Sequence, residues 1–193
     1  RLPVMFTRLC WYYRRCEQEK WLIRDTHKRK VPLKPRLAQA MFRVACLDQA
    51  AEELPIRIRI LKSRKQGIST DVQGLFVDLC AYNENQVAVT IAHEKKATKG
   101  IFRIGRFAAK MHAVVEAKVN KYEIEWKSTG SEYSCATAGG TAVGAGSDPN
   151  LLHVSEGPKH GSNKKETRYN SVTSVAEVPE SVIVEEFTAK GRD

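Results

Sequence analysis

Nine consecutive residues, Lys62-Ser63-Arg64-Lys65-Gln66-Gly67-Ile68-Ser69-Thr70, place three cations, one glycine and two adjacent hydroxyls between an alternating apolar run and an apolar-periodic segment. A polar loop that opens directly into a helix offers free backbone N–H groups to an anion, so this is where a phosphate would bind. Ser69 or Thr70 can ligate Mg²⁺ there. Ile68 stands where a Gly-Lys-Ser/Thr loop carries its lysine. A cation for the phosphates therefore has to come from Lys62, Arg64 or Lys65 on the opposite limb. Taken alone, the same residues also read as a basic strand-to-helix turn.

Two further runs could complete such a site. Leu151-Leu152-His153-Val154-Ser155-Glu156 is an apolar strand ending in a carboxylate. A Walker B strand ends in Asp-Glu, the first acid holding Mg²⁺ through water and the second polarising the attacking water. Here Ser155 replaces the first and Glu156 remains; by itself it also reads as a solvated strand end. Val182-Ile183-Val184-Glu185-Glu186-Phe187-Thr188-Ala189-Lys190-Gly191 is a strand that ends in small and polar residues. At the carboxyl edge of a parallel α/β sheet such residues face the ligand crevice.

The elements that must position these residues follow from periodicity. Residues 5–20 read as an amphipathic helix, Trp21–Asp25 and Val31–Lys34 as a hairpin, and 36–53 as a helix ended by Leu54-Pro55. Strands at 56–61, 86–92, 151–155 and 181–185 then alternate with helices at 70–82, about 94–118 and 164–176. A hairpin is expected at 122–126 and 132–136. Alternation of this kind calls for a mostly parallel central sheet covered on both faces, a three-layer α/β sandwich.

Composition narrows the partners. A chain of 193 residues with 42% hydrophobic content is long enough for one core. No apolar run approaches the roughly 18 residues that span a bilayer, and the start at Arg1 reads as that of a fragment. Five scattered cysteines without a CxxC pair argue against a disulfide framework and a zinc site, and fit a reducing cytoplasm. His93-Glu94 lacks the second histidine of a metalloprotease helix, and His153, on a buried strand, reads as a core residue. The net charge is +10, with eleven Lys or Arg against three acids in residues 1–36, a distribution that suits a polyanion such as DNA.

Taken together, the motifs resemble those of the large terminase subunits of tailed bacteriophages, over about residues 20–192. Arg64–Thr70 is similar to that family's deviant Walker A loop. Ala136-Thr137-Ala138-Gly139-Gly140 followed by Leu152–Glu156 is similar to its Walker B region, and Glu186–Gly191 to its coupling motif. Trp21–Arg24 through Val31–Lys34 to Gln39 resembles the adenine-recognition segment.

The resemblance implies a P-loop NTPase core of the ASCE/RecA-like type over 36–193, preceded by a helix and hairpin over 1–35. It implies hydrolysis of ATP with Mg²⁺ as cofactor, driving double-stranded DNA into a procapsid. Gln39 and the whole loop Lys62, Ser63, Arg64, Lys65, Gln66, Gly67, Ile68, Ser69 and Thr70 would bind ATP. Arg64 or Lys65 would neutralise the phosphates, and Ser69 would ligate Mg²⁺. Glu156 would activate water and touch the metal through water, while Glu186, Thr188 and Ala189 would couple hydrolysis to movement. The implied partners are viral DNA, a portal protein, a small terminase subunit and further copies of the chain in a pentameric ring, with no membrane. The implied location is the host cytoplasm and, transiently, the procapsid portal.

The chain departs from the family in having no arginine in Thr141–Gly146, which leaves Arg103, Arg106 and Arg168 as arginine-finger candidates. It also lacks the acid cluster of the family's nuclease, so no nuclease activity is expected. Two rival readings are a helicase-like ATPase and a degenerate P-loop module that binds DNA or a partner without hydrolysis.

Overall fold

The computed structural model describes residues 2–18, 20–25, 27–112, 116–139, 148–157 and 170–188. Its centre is a seven-stranded sheet. In chain order the strands are β3 (Ile56–Lys62), β4 (Val87–Ala92), β5 (Lys118–Val119), β6 (Glu123–Trp126), β7 (Ser131–Thr137), β8 (Leu151–Ser155) and β9 (Val182–Thr188). Their spatial order is β3-β9-β8-β4-β7-β6-β5. The first five in that order are parallel, and β6 and β5 complete one edge as antiparallel strands. The fold is the α/β architecture with a mostly parallel sheet flanked by helices that the alternation of elements predicts. β8 is buried along its whole length, and β4 and β9 nearly so, which is why all three read as continuous apolar runs.

Side chains alternate across the sheet. Ala88, Leu151, Val182 and Val184 join the large core beneath helices α3 (Ile68–Tyr82) and α4 (Lys95–His112), while Val89, Ile91, Leu152, Val154 and Ile183 pack with Val172 and Val175 on the opposite face. This parity sends Ser155 and Glu186 to the same side of the sheet as the start of α3. Two differences from the periodicity reading concern boundaries. The helix expected to continue to 118 is described as far as His112, and Lys118–Val119 pairs against β6 as a strand. The last strand, expected to end at 185, continues to Thr188.

The N-terminal segment packs into the same core. Helix α1 (Val4–Glu17), the antiparallel ribbon β1 (Leu22–Arg24) and β2 (Lys30–Pro32), and helix α2 (Leu37–Ala51) follow one another. Met5, Leu9, Tyr12, Trp21 and Leu33 are buried with residues of α3. Gly74 of α3 permits that approach, because a Cβ there would lie 2.5 Å from the Tyr12 hydroxyl and 2.9 Å from Trp21 Nε1. A buried pair ties the three helices: Arg43 donates to both carboxylate oxygens of Asp71 at 2.9 and 2.7 Å, and the Tyr12 hydroxyl donates to Asp71 at 2.9 Å. Removing one partner of such a pair leaves an uncompensated buried charge, at a cost of about 3–5 kcal/mol.

Candidate functional site

The loop between β3 and α3 is shaped for an anion. Lys65 and Gly67 both hold left-handed backbone, at φ 63° and 81°, on either side of Gln66. Successive amides in such a turn converge on a concavity. Gly67 caps α3, and the N–H groups of the helix's first turn have no intrahelical acceptor. A side chain at Gly67 would meet Gln39 at 3.1–3.4 Å as well as the backbone strain of its positive φ.

Helix α2 straps this loop in place. Arg36 Nη1 donates to the Lys65 carbonyl at 2.8 Å, and Gln39 Nε2 donates to the Gly67 carbonyl at 3.0 Å. Gln39, only 3% exposed, also accepts the Arg36 N–H at 3.0 Å. Both ends of its amide are thus engaged with backbone, and Gln39 sits against the β3–α3 loop itself. Gln66 Nε2 donates to Ser63 Oγ at 2.7 Å and closes the exposed limb.

The cations of the loop divide into two groups. Ile68, 1% exposed, points into the core with Val72 and Leu75, so its position offers no charge to a phosphate. Lys62, on the last residue of β3, is turned inward with its Nζ 3.6 Å from Glu186 Oε2. Arg64 and Lys65 remain exposed at the mouth of the loop.

Glu186 is the centre of the buried part. The Ser69 hydroxyl donates to its Oε1, and Ser155 Oγ donates to the same oxygen at 3.3 Å. His153 Nε2 lies 3.3 Å from Oε1 without hydrogen-bond alignment, and both that nitrogen and Glu186 Oε2 are buried without a hydrogen-bond partner. Burial raises the pKa of a carboxyl, yet here His153, Lys62 and Ser69 outweigh it and hold Glu186 down at about 2.

The imidazole has a defined tautomer. The Tyr133 hydroxyl donates to Gln73 Oε1, which directs Gln73 Nε2 to His153 Nδ1 at 2.8 Å and to Thr90 Oγ1 at 3.1 Å. Nδ1 therefore accepts, and the imidazole hydrogen sits on Nε2, facing Glu186. The sequence reading of His153 as a core residue is right about burial and misses this polar chain.

Glu156 follows β8 with its backbone in the left-handed region at φ 56°, and its N–H donates to the Glu186 carbonyl at 2.7 Å. Its carboxylate receives the Thr188 hydroxyl on Oε1 and the Thr188 N–H on Oε2 at 3.3 Å. Of the residues assigned to coupling, Thr188 thus touches Glu156 and Glu186 lies beneath Ser69, while Ala189 falls outside the described residues. Register explains the convergence: Ser155 pairs with Glu186 and Lys62 with Thr188, so the loop, β8 and β9 end at one edge.

Among the described residues no three His, Cys, Asp or Glu side chains converge as a ready-made metal cage. The donor set suits Mg²⁺, which keeps waters and takes few protein ligands beside substrate phosphates. Ser69 presents an oxygen whose proton is already committed to Glu186.

Beside the loop, Trp21, Arg24, Thr70, Gly74, Ile104 and Phe107 line a largely apolar cavity of about 340 Å³. Arg103 lines it too, whereas Arg106 is exposed further along α4 and Arg168 falls outside the described residues. Sequence reasoning took Arg103 and Arg106 of α4 as arginine-finger candidates and missed the charged stripe to which they belong. Lys95, Lys96, Lys99, Arg103, Arg106 and Lys110 are all exposed at helical spacing, and no acid lies between Lys95 and His112. By contrast, several N-terminal cations serve the fold: Arg15 pairs with buried Asp78, Arg29 with Asp25, and Arg36 holds the loop. The five cysteines are all free, and none of the described helices is long and apolar enough to cross a membrane.

No protein-family model and no curated protein sequence matches the chain. Among solved structures, its fold matches that of the HK97 bacteriophage large terminase with a TM-score of 0.69 over 94% of this chain, at 14% sequence identity. The chain spans 37% of that protein's length. The chain therefore has a terminase-like fold.

Proposed function

We propose that this chain is the ATP-hydrolysing part of a motor that moves double-stranded viral DNA into a procapsid. One observation carries the reading. A strapped, left-handed loop at a helix N-terminus meets a hydroxyl, Ser69, and two carboxylates, Glu186 and Glu156, at the carboxyl edge of parallel strands. The terminase-like fold and the motif resemblance supply the biological setting.

In this reading the first-turn amides of α3 and the loop amides bind the phosphates, and Arg64 and Lys65 close over them from the exposed limb. Ser69 would hold Mg²⁺, which would supply charge neutralisation for the phosphates. Glu156 takes a proton from the attacking water, and Thr188 fixes the direction of that carboxylate. The adenine ring would lie in the cavity lined by Trp21 and Phe107, next to Thr70. As in other phosphoryl transfers, positioning and charge provide most of the rate. The chain would act as a ring of identical copies, a pentamer by family resemblance. It would sit on the portal in the host cytoplasm, with the small terminase subunit and DNA as partners and no membrane.

Equilibrium titration of the protein with Mg-ATP tests the reading. Wild type should bind in the micromolar range, and Arg64→Ala with Lys65→Ala should weaken binding about 10- to 100-fold, on the scale of about 1.5–3 kcal/mol for hydrogen bonds to charged groups. Unchanged affinity in that double variant would remove these two residues from the site.

A further inference from the structure

We propose that Glu186 is the carboxylate that holds the water shell of the nucleotide's divalent cation. The charge that Walker B aspartates supply from the strand of Ser155 is thereby moved one strand across, to β9. The inference rests on the nucleotide reading above.

Three observations lead to it. The Ser69 hydroxyl donates its single proton to Glu186 Oε1, which leaves the serine lone pairs facing outward for a cation. Ser155 is the register partner of Glu186 and donates to the same oxygen at 3.3 Å. An aspartate at 155 would set two carboxylates side by side where the residues are 5% and 1% exposed, and like charges that close do not both stay ionised. Serine at 155 and glutamate at 186 therefore form a complementary pair: the position without an acid solvates the one that carries it. Finally, Glu186 Oε2 is buried without a hydrogen-bond partner, which is uncommon for a charged oxygen, and a cation-bound water has the hydrogen it lacks.

Reach is consistent with the exchange. Glu186 Oε1 lies 3.3 Å from Ser155 Oγ on the adjacent strand, so the carboxylate already sits beside the position it replaces. Lys62, 3.6 Å from Oε2, and His153, 3.3 Å from Oε1, surround the carboxylate with positive or hydrogen-bearing groups. Glu186 acts through water on the cation and is a positioning residue, distinct from Glu156.

The test is nucleotide affinity with and without metal, read with a fluorescent ATP analogue in Mg²⁺ and in EDTA, with bound Mn²⁺ counted by paramagnetic resonance. In wild type Mg²⁺ should tighten binding. Glu186→Gln should reduce that enhancement, taken as the ratio of affinities with and without metal, about 10- to 100-fold, the usual effect of losing an outer-shell partner. The exchange variant Ser155→Asp with Glu186→Ser restores one acid and one hydroxyl in swapped places. It should recover most of the Mg²⁺ enhancement, and it carries the test where Glu186→Gln fails to fold. A Glu186→Gln protein with undiminished Mg²⁺ enhancement and Mn²⁺ binding, or a folded exchange variant without recovery, overturns the inference while nucleotide binding by wild type stands. A wild-type protein that binds no nucleotide overturns the functional reading, and this inference with it.

Discussion

Glu156 is gripped by two donors from one residue, the hydroxyl and the N–H of Thr188, and its own backbone is pinned to the Glu186 carbonyl. A general base works only when its free lone pair points at the proton it removes. In the proposed mechanism Thr188 therefore orients the base, and these contacts join strand β9 to the end of β8. Thr188→Val keeps the β-branched shape and the N–H contact and deletes only the hydroxyl. Turnover is expected to fall roughly tenfold, the kinetic equivalent of about 1.4 kcal/mol, with the KM for ATP unchanged. Faster turnover in this variant would mean that the threonine restrains Glu156 and does not orient it. At this scale the sequence was informative about residues adjacent in the chain, such as Ser155-Glu156 and Ser69-Thr70. It was silent on Glu186 beneath Ser69, because that contact depends on strand parity and on β9 lying between β3 and β8.

The outer face of α4 carries its charge at spacings of three and four residues, which places Lys96, Lys99, Arg103, Arg106 and Lys110 along one exposed stripe. If this stripe tracks a DNA backbone, replacing Lys96, Lys99 and Arg106 by Gln should weaken duplex binding equally for all sequences. It should also flatten the dependence of log K on log salt by up to about 0.9 per lost phosphate contact. An unaltered slope would identify α4 as a solvated surface only. The stripe escaped sequence reasoning because total charge drew attention to residues 1–36, where Arg15, Arg29 and Arg36 in fact make internal contacts. Elements with strong periodicity were otherwise legible: the ribbon β1–β2, helices α1 to α3 and the buried strands all form where the pattern placed them. The reading failed at ends. Periodicity predicts a helix to about 118, yet Lys118–Val119 pairs with Ile124–Glu125 in the sheet. The last strand runs past 185 to Thr188, and Glu186 within it is ion-paired with Lys62.

Across the whole molecule, the consecutive elements α2, β3 and α3 meet the distant strands β8 and β9 at one sheet edge: α2 straps the loop, α3 offers its first turn, and β3, β8 and β9 bring Lys62, Glu156 and Glu186. Parallel strands ending together make this possible, since residues at their carboxyl ends share a crevice. The order of motifs along the chain was enough to expect the α/β fold. The polar chain from Tyr133 through Gln73 to His153 and Glu186 exists only once the strands are stacked in their spatial order. The most direct measurement is phosphate release from Mg-ATP by wild type and by Glu156→Gln, each with and without double-stranded DNA. Wild type should hydrolyse ATP, and Glu156→Gln should lose at least about 10²-fold in turnover with nucleotide affinity little changed. Near-normal turnover in Glu156→Gln would contradict the assignment of the base, and a wild-type protein that binds Mg-ATP and DNA yet releases no phosphate would make the chain a binding module and not a motor.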